Sequence, residues 1–232
     1  MATNHVGVVL VHGAWADGSS WSKVIGPLKA EGVEVVAAPL PLTSLADDVA
    51  ALDRVLERLD GPLVLVGHAY AGAVIGATRD PKAAALVYVA ALAPDEGETV
   101  GDVFHRGRPH PRTPELQPDA HGLVWLPEDA FAGAFAQHAP AEEQALLAAV
   151  QRPIAAASIG VPVGRPLWKD RPSWFLIAEQ DRMIAPDTQR FMAERMGARA
   201  RPHPVDHTPL VTAPQEVVDI VLDAVRDVAA SA

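Results

Sequence analysis

The stretch Val64-Leu65-Val66-Gly67-His68-Ala69-Tyr70-Ala71-Gly72 leaves this chain few choices of architecture. An apolar β-type run stops at a tight turn of small residues, and a helical pattern starts at once and continues to about Thr78. A strand without a polar face is buried on both sides, and such strands belong to parallel sheets, whose crossover connections lay helices over both faces. The same unit recurs. Residues 6–11 are a valine-rich run ended by His12-Gly13, after which Asp17 or Ser19 can cap a helix that reaches about Ala30 and stops at Gly32. A strand at 33–38, a helix at 45–59 behind the cap Ser44, and strands at 63–66 and 85–91 follow. After a long interruption come a strand at 173–178, a helix at 187–196, a short strand at 199–202 and a terminal helix at 214–228. The expected fold class is α/β, a mostly parallel doubly wound sheet.

Between Asp95 and Arg171 the alternation stops and proline is dense. Two helical stretches stand out there, 128–138 and 141–150, while Phe104, Trp125, Phe131, Phe135 and Trp168 supply packing that disordered linkers lack. The expected organisation is one core from 1–94 and 172–232, with 95–171 inserted as a helical cap over the carboxyl edge of the sheet. One domain accounts for 232 residues. A formal net charge of -10 argues against nucleic acid or an anionic membrane as partner, since phosphates are bound by Lys and Arg. The sequence has no cysteine, and His105, His110, His121 and His138 lack the spacing of a zinc site, so neither metal nor cofactor is expected. No basic n-region precedes the first apolar run and no run is long enough for a membrane span, which sets the expectation of a cytoplasmic monomer or homodimer.

Open α/β sheets place ligands where their strands end. The turn at Ala69 has the strand-turn-helix context of a nucleophile elbow, G-x-S-x-G, in which a serine is held on a strained turn between small neighbours. Here Ala69 takes the serine position and Ala71 that of the final glycine. A methyl group cannot attack a carbonyl. Two further polar sites follow strands, Glu179-Gln180-Asp181 and Val205-Asp206-His207-Thr208. The order elbow, acid, histidine is the chain order of the α/β-hydrolase triad. Together with His12-Gly13-Ala14, Ala93-Pro94-Asp95-Glu96-Gly97, Asp181-Arg182 and Asp206-His207-Thr208-Pro209, it makes the whole chain similar to small α/β-hydrolases. The branch it resembles includes bacterial carboxylesterases of the pyrethroid-hydrolase type, plant methyl esterases and hydroxynitrile lyases.

The resemblance implies an α/β-hydrolase fold with an inserted helical cap and assigns roles by position. His207 matches the general base and Asp181 the carboxylate that fixes its tautomer, with Glu179 as a lesser rival. The backbone N–H groups of Ala14 and Tyr70 match the oxyanion hole, and Ala69 the nucleophile position. His68 is expected to pack beneath the elbow and His12 to support the oxyanion loop. Thr208 stands where the lyases carry a lysine, which speaks against cyanohydrin cleavage. Trp15, Trp125 and Trp168 are candidates either for a substrate pocket or for the cap's core, and the expected ligand is a small apolar or aromatic ester or other carbonyl compound. Three functions remain open: an esterase relative whose nucleophile is lost, naturally or by engineering; serine-independent catalysis by the His207–Asp181 dyad, as lyase, cofactor-free oxygenase or water-mediated hydrolase; and non-catalytic binding of a small molecule.

Overall fold

A computed structural model describes residues 6–231. Its strands are β1 (Gly7–Val11), β2 (Glu34–Ala38), β3 (Leu63–His68), β4 (Ala83–Val89), the short β5 (Leu123–Val124) and β6 (Ile154–Ala155), β7 (Ser173–Ala178) and β8 (Arg199–His203). Six of them form one sheet in the order β2-β1-β3-β4-β7-β8, with every pair parallel. β1, β3 and β7 are buried at every residue, as their unbroken apolar runs require, whereas β2 and β8 are edges with exposed positions. Pro202 lies in β8, where its missing N–H interrupts no further pairing.

The flanking helices follow from local signals. Ser44 Oγ accepts the Asp47 N–H at 3.0 Å and starts helix Leu45–Leu56. Helix Pro214–Ser231 buries Val217, Ile220, Val221, Ala224 and Val228 along one stripe, which packs on β3, β4 and β7 beside helix Ser22–Ala30. Helix Ala71–Ala77 crosses the end of β4 so closely that a Cβ on Gly72 would lie 2.4 Å from the Leu92 carbonyl oxygen. Only glycine fits there.

Topology locates the site before any side chain is considered. The chain steps from β1 to β2 on one side and then crosses back to place β3 on the other, so the winding reverses between β1 and β3. Loops diverge at such a reversal and leave a crevice at the carboxyl ends of the strands. Ala14 follows β1, and Ala69 and Tyr70 follow β3.

Segment 95–171 departs in part from the sequence expectation. Helix Ala141–Val150 is present, but the stretch 128–138 is one α-turn, Glu128–Ala130, that runs into a π-helical turn, Phe131–Phe135. The Ala136 N–H donates to the Phe131 carbonyl at 2.8 Å and closes the wider ring, which turns both phenyl groups into the core with centroids 5.2 Å apart. A helix at Val100–Phe104, opened by a capping box between Thr99 and Asp102, and the antiparallel pair β5–β6 have no counterpart in the sequence reading. Among the hydrogen bonds that stitch the segment to the core, three reach the loops after β1 and β2. The Trp15 N–H donates to the Arg152 carbonyl at 3.0 Å, the Trp15 indole to the Val124 carbonyl at 2.9 Å, and the Ala155 N–H to the Leu42 carbonyl at 2.9 Å.

Candidate active site

The loops after β7 and β8 bring Asp181 and His207 together, each 2% exposed, with His207 Nδ1 2.8 Å from Asp181 Oδ2. Asp181 Oδ1 accepts the Met183 and Ile184 N–H groups at 2.7 and 2.9 Å, and Oδ2 also accepts Gln189 Nε2 at 2.8 Å. A carboxylate so surrounded by donors is an acceptor only, so Nδ1 carries the imidazole proton and Nε2 is left with its lone pair. Glu179, the rival acid, is exposed and pairs with Arg190 at 2.7 Å.

Ala69 has φ of 50°, in the left-handed region that costs a residue with a Cβ about 1 kcal/mol. Its N–H donates to the Val89 carbonyl at 3.3 Å, and its own carbonyl accepts the Leu92 N–H at 2.9 Å. The turn therefore keeps the strained form of an elbow although no serine stands on it. Among the described residues the N–H groups of Ala14 and Tyr70 have no acceptor, and both residues face the same cavity as Ala69.

Two buried groups hold these loops. The Tyr70 phenol donates to Asp48 Oδ2 at 2.7 Å, and Asp48 Oδ1 accepts the Leu42 N–H at 2.7 Å. Burial pushes the Asp48 carboxyl above the usual carboxylate range, opposed by these two bonds, and pushes the Tyr70 phenol up as well. The sequence reading missed Asp48, although one signal was present: it shares the buried face of its helix with Leu45, Ala51 and Leu52. Around the other loop, His12 Nδ1 donates to the Gly13 carbonyl at 2.9 Å and Nε2 accepts the Leu40 N–H at 3.0 Å, the support expected of it.

His68 lies beneath the turn, fully buried, and its Nε2 donates to the His207 carbonyl at 2.7 Å. Its Nδ1 has no partner, and its ring centroid is 4.9 Å from that of His207. Burial first, and the neighbouring His207 second, pull its pKa from 6.5 down to about 3. Because the unfolded chain takes up this proton first, His68 costs no stability above pH 6.5 and progressively more as the pH falls towards 3. At about 1.4 kcal/mol per unit the loss reaches roughly 5 kcal/mol. His68→Gln, whose amide can still donate to the His207 carbonyl, is expected to lose less stability than the parent in urea titrations from pH 6.5 to about 4. Equal pH slopes would remove His68 from the acid response.

A cavity of about 650 Å³ opens over this group and is walled mainly by Trp15, Leu92, Phe104, Leu116, Ile159 and Met183, with Ala69 and His207 also at its surface. Of the three candidate tryptophans only Trp15 lines it. Trp125 is 48% exposed with its indole 3.2 Å from Asp119 Oδ2, and Trp168 is buried elsewhere, with its indole 3.4 Å from the Pro94 carbonyl. Trp125 finds its polar partner within segment 95–171 and Trp168 in Pro94 just before it, and neither ring lines the cavity. Phe135 is the aromatic the sequence reading did not single out for the site. Its ring packs 5.3 Å from His207, 6.4 Å from His68 and 6.3 Å from Trp15, a position that spacing relative to Phe131 does not reveal. Among the described residues no group of three His, Asp or Glu side chains converges as a metal site would require, and no helix is long and apolar enough to cross a membrane.

The profile of the alpha/beta hydrolase family matches residues 8–220. Among solved structures the chain is similar to a pyrethroid hydrolase from Sphingobium faniae JZ-2, with 21% identity and a TM-score of 0.80 over 95% of this chain and 98% of that one. It is also similar to polyneuridine aldehyde esterase, with 19% identity and a TM-score of 0.77 over 95% and 99% of the two chains. A methylesterase from Arabidopsis gives 18%, 0.78, 95% and 99% for the same quantities. At these identities the likeness is one of fold. No curated protein matches the sequence significantly.

Proposed function

The chain belongs to the alpha/beta hydrolase family, and from that premise we propose that it hydrolyses a small apolar carboxylic ester by direct attack of water, without an acyl-enzyme. One observation carries the reading: His207, 2.8 Å from Asp181, borders the cavity shared by Ala69 and the two N–H groups that have no acceptor among the described residues. That two esterases and a pyrethroid hydrolase share the fold supports an ester as substrate.

The Ala69 methyl ends one heavy atom short of a serine hydroxyl, and the attacking water takes the place of that oxygen. His207 Nε2 removes a proton from the water as its oxygen bonds to the carbonyl carbon, and Asp181 stabilises the resulting imidazolium. The carbonyl oxygen becomes an oxyanion between the Ala14 and Tyr70 N–H groups. When it collapses, the bond to the alkoxy oxygen breaks, that oxygen takes the proton back from His207, and acid and alcohol leave a neutral imidazole. Segment 95–171 acts as a cap in this scheme, since Phe104, Leu116 and Ile159 wall the cavity and keep bulk water from the dyad.

With a nitrophenyl acetate as substrate the expected course is a steady release without a burst, no acetyl adduct by intact-protein mass spectrometry, and a fall of about 10² to 10⁴ in His207→Gln. An acetyl adduct on the parent protein, or unchanged turnover in His207→Gln, would sink the mechanism.

A further inference from the structure

The cavity does not end at its apolar walls. His110 borders both the cavity and an adjoining groove, and Arg108 lines that groove. Residues 105–112 carry three arginines, two histidines and no acid, within a chain of net charge -10. The cations of this edge divide into those already committed and those left over. The Arg106 guanidinium lies 3.6 Å over the Phe191 ring, Arg182 donates to the Gly133 carbonyl at 2.8 Å, and Arg190 pairs with Glu179 and Asp187 at 2.7 and 3.1 Å. Arg108 has no hydrogen bond or ion pair among the described residues, and it is exposed. His110 Nδ1 accepts the Arg112 N–H at 3.1 Å, which leaves its Nε2 as a donor. Glu115 is the acid on the cavity wall, and of the groove's acids Glu179 and Asp187 are engaged by Arg190 and Asp181 by His207.

This edge is built rather than loose. A Cβ on Gly107 would lie 2.5 Å from Thr188 Oγ1, so the segment seats backbone-first on helix Pro186–Arg195, and Thr113 Oγ1 donates to the Arg182 carbonyl at 2.7 Å further along. Arg108 is thereby presented between two fixed points with its fork unused. A guanidinium recognises a planar carboxylate through paired hydrogen bonds, and water beside an apolar cavity leaves such a bond at partial strength rather than none.

We propose that the ligand of this cavity carries a carboxylate beyond its apolar body, received by Arg108 with His110 where cavity meets groove. The proposal rests on the ester-binding reading of the cavity, so its test uses binding rather than turnover. The probe is a decanoate with a methyl ketone at its far end, compared by calorimetry with the corresponding primary amide. Neither compound carries an ester, and both offer the same ketone to the Ala14 and Tyr70 N–H groups. The carboxylate is expected to bind about tenfold more tightly than the amide, and Arg108→Gln to bring the two within about twofold of each other by weakening the carboxylate alone. Equal affinities in the parent overturn the proposal, as does a preference that survives Arg108→Gln, because the acid would then sit elsewhere. Absence of binding by both compounds overturns it too. A confirmed preference in a protein that fails the hydrolysis test would leave the carboxylate site standing and remove only the chemistry.

Discussion

Ala69→Ser is expected to hydrolyse an activated nitrophenyl ester on the order of 10³ times faster than the parent, with an initial burst of one nitrophenolate per protein. The elbow already holds residue 69 at φ of 50°, so the substitution asks for no new backbone conformation. It adds one hydroxyl at the surface of a cavity that His207 also borders. With Nδ1 held by Asp181, His207 Nε2 is free to take the serine proton, and the Ala14 and Tyr70 N–H groups have no acceptor among the described residues. Nucleophile, base and hole then act as a unit, which is why restoring one member gains far more than one hydrogen bond. Ala71 sets the upper limit, since its methyl occupies the position at which elbows normally have glycine. The burst and the acyl adduct must both disappear when His207→Ala is added. A folded Ala69→Ser protein that never acylates would show that the dyad and the hole do not address residue 69.

Asp181→Asn carries the second large effect, a loss of about 10³ or more in turnover with the fold retained. Three donors converge on this carboxylate besides the imidazole, namely the Met183 and Ile184 N–H groups and Gln189 Nε2. The Met183 and Ile184 N–H groups draw the single amide oxygen of asparagine into the place of Oδ1, so its NH₂ takes the place of Oδ2, where it faces Gln189 Nε2 and Nδ1 and forces the imidazole proton onto Nε2. The base then has no lone pair for water. The mismatch of donors also costs roughly 1–3 kcal/mol of stability, visible as a lower urea midpoint. Glu179→Gln, on the exposed acid paired with Arg190, is the contrasting variant and leaves turnover unchanged. Turnover above a tenth of the parent in Asp181→Asn would take Asp181 out of the mechanism.

The core sheet was legible because buried parallel strands leave a coarse trace, an apolar run ended by small or polar residues, and β1, β3, β4 and β7 all have it. Asp181 and His207 were legible for a different reason: each follows a strand, in the order a known site requires. Asp48 was hidden beside Asp47, since two acids in the first turn of a helix read as favourable charge at its N-terminus, and only burial separates the one that holds Tyr70. Helix Val100–Phe104 and the β5–β6 pair are too short for any period to register. The stretch at 128–138 has helical spacing, but a π-turn and an α-turn share their first residues, and the choice between them is made by what Phe131 and Phe135 pack against. The tryptophans show the same limit, because type and place in the chain suggested a pocket while hydrogen-bond partners decided otherwise for Trp125 and Trp168.

The stitches between segment 95–171 and the core bear on how such proteins can be recombined. Trp15, bonded to Arg152 and Val124, immediately follows Ala14, and Leu42, bonded to Ala155, also donates to the Asp48 that anchors Tyr70. Each half of the paired N–H site is thus one step from a contact with segment 95–171. A graft that exchanged 95–171 for a relative's segment would import foreign carbonyls opposite Trp15 and a foreign N–H opposite Leu42, and so would reset both donors at once. The segment is also bonded to the loops after β7 and β8, through Thr113 and Gly133 with Arg182 and through Phe135 with Thr208, so the unit that can be transplanted intact is segment 95–171 together with these loops and those after β1 and β2.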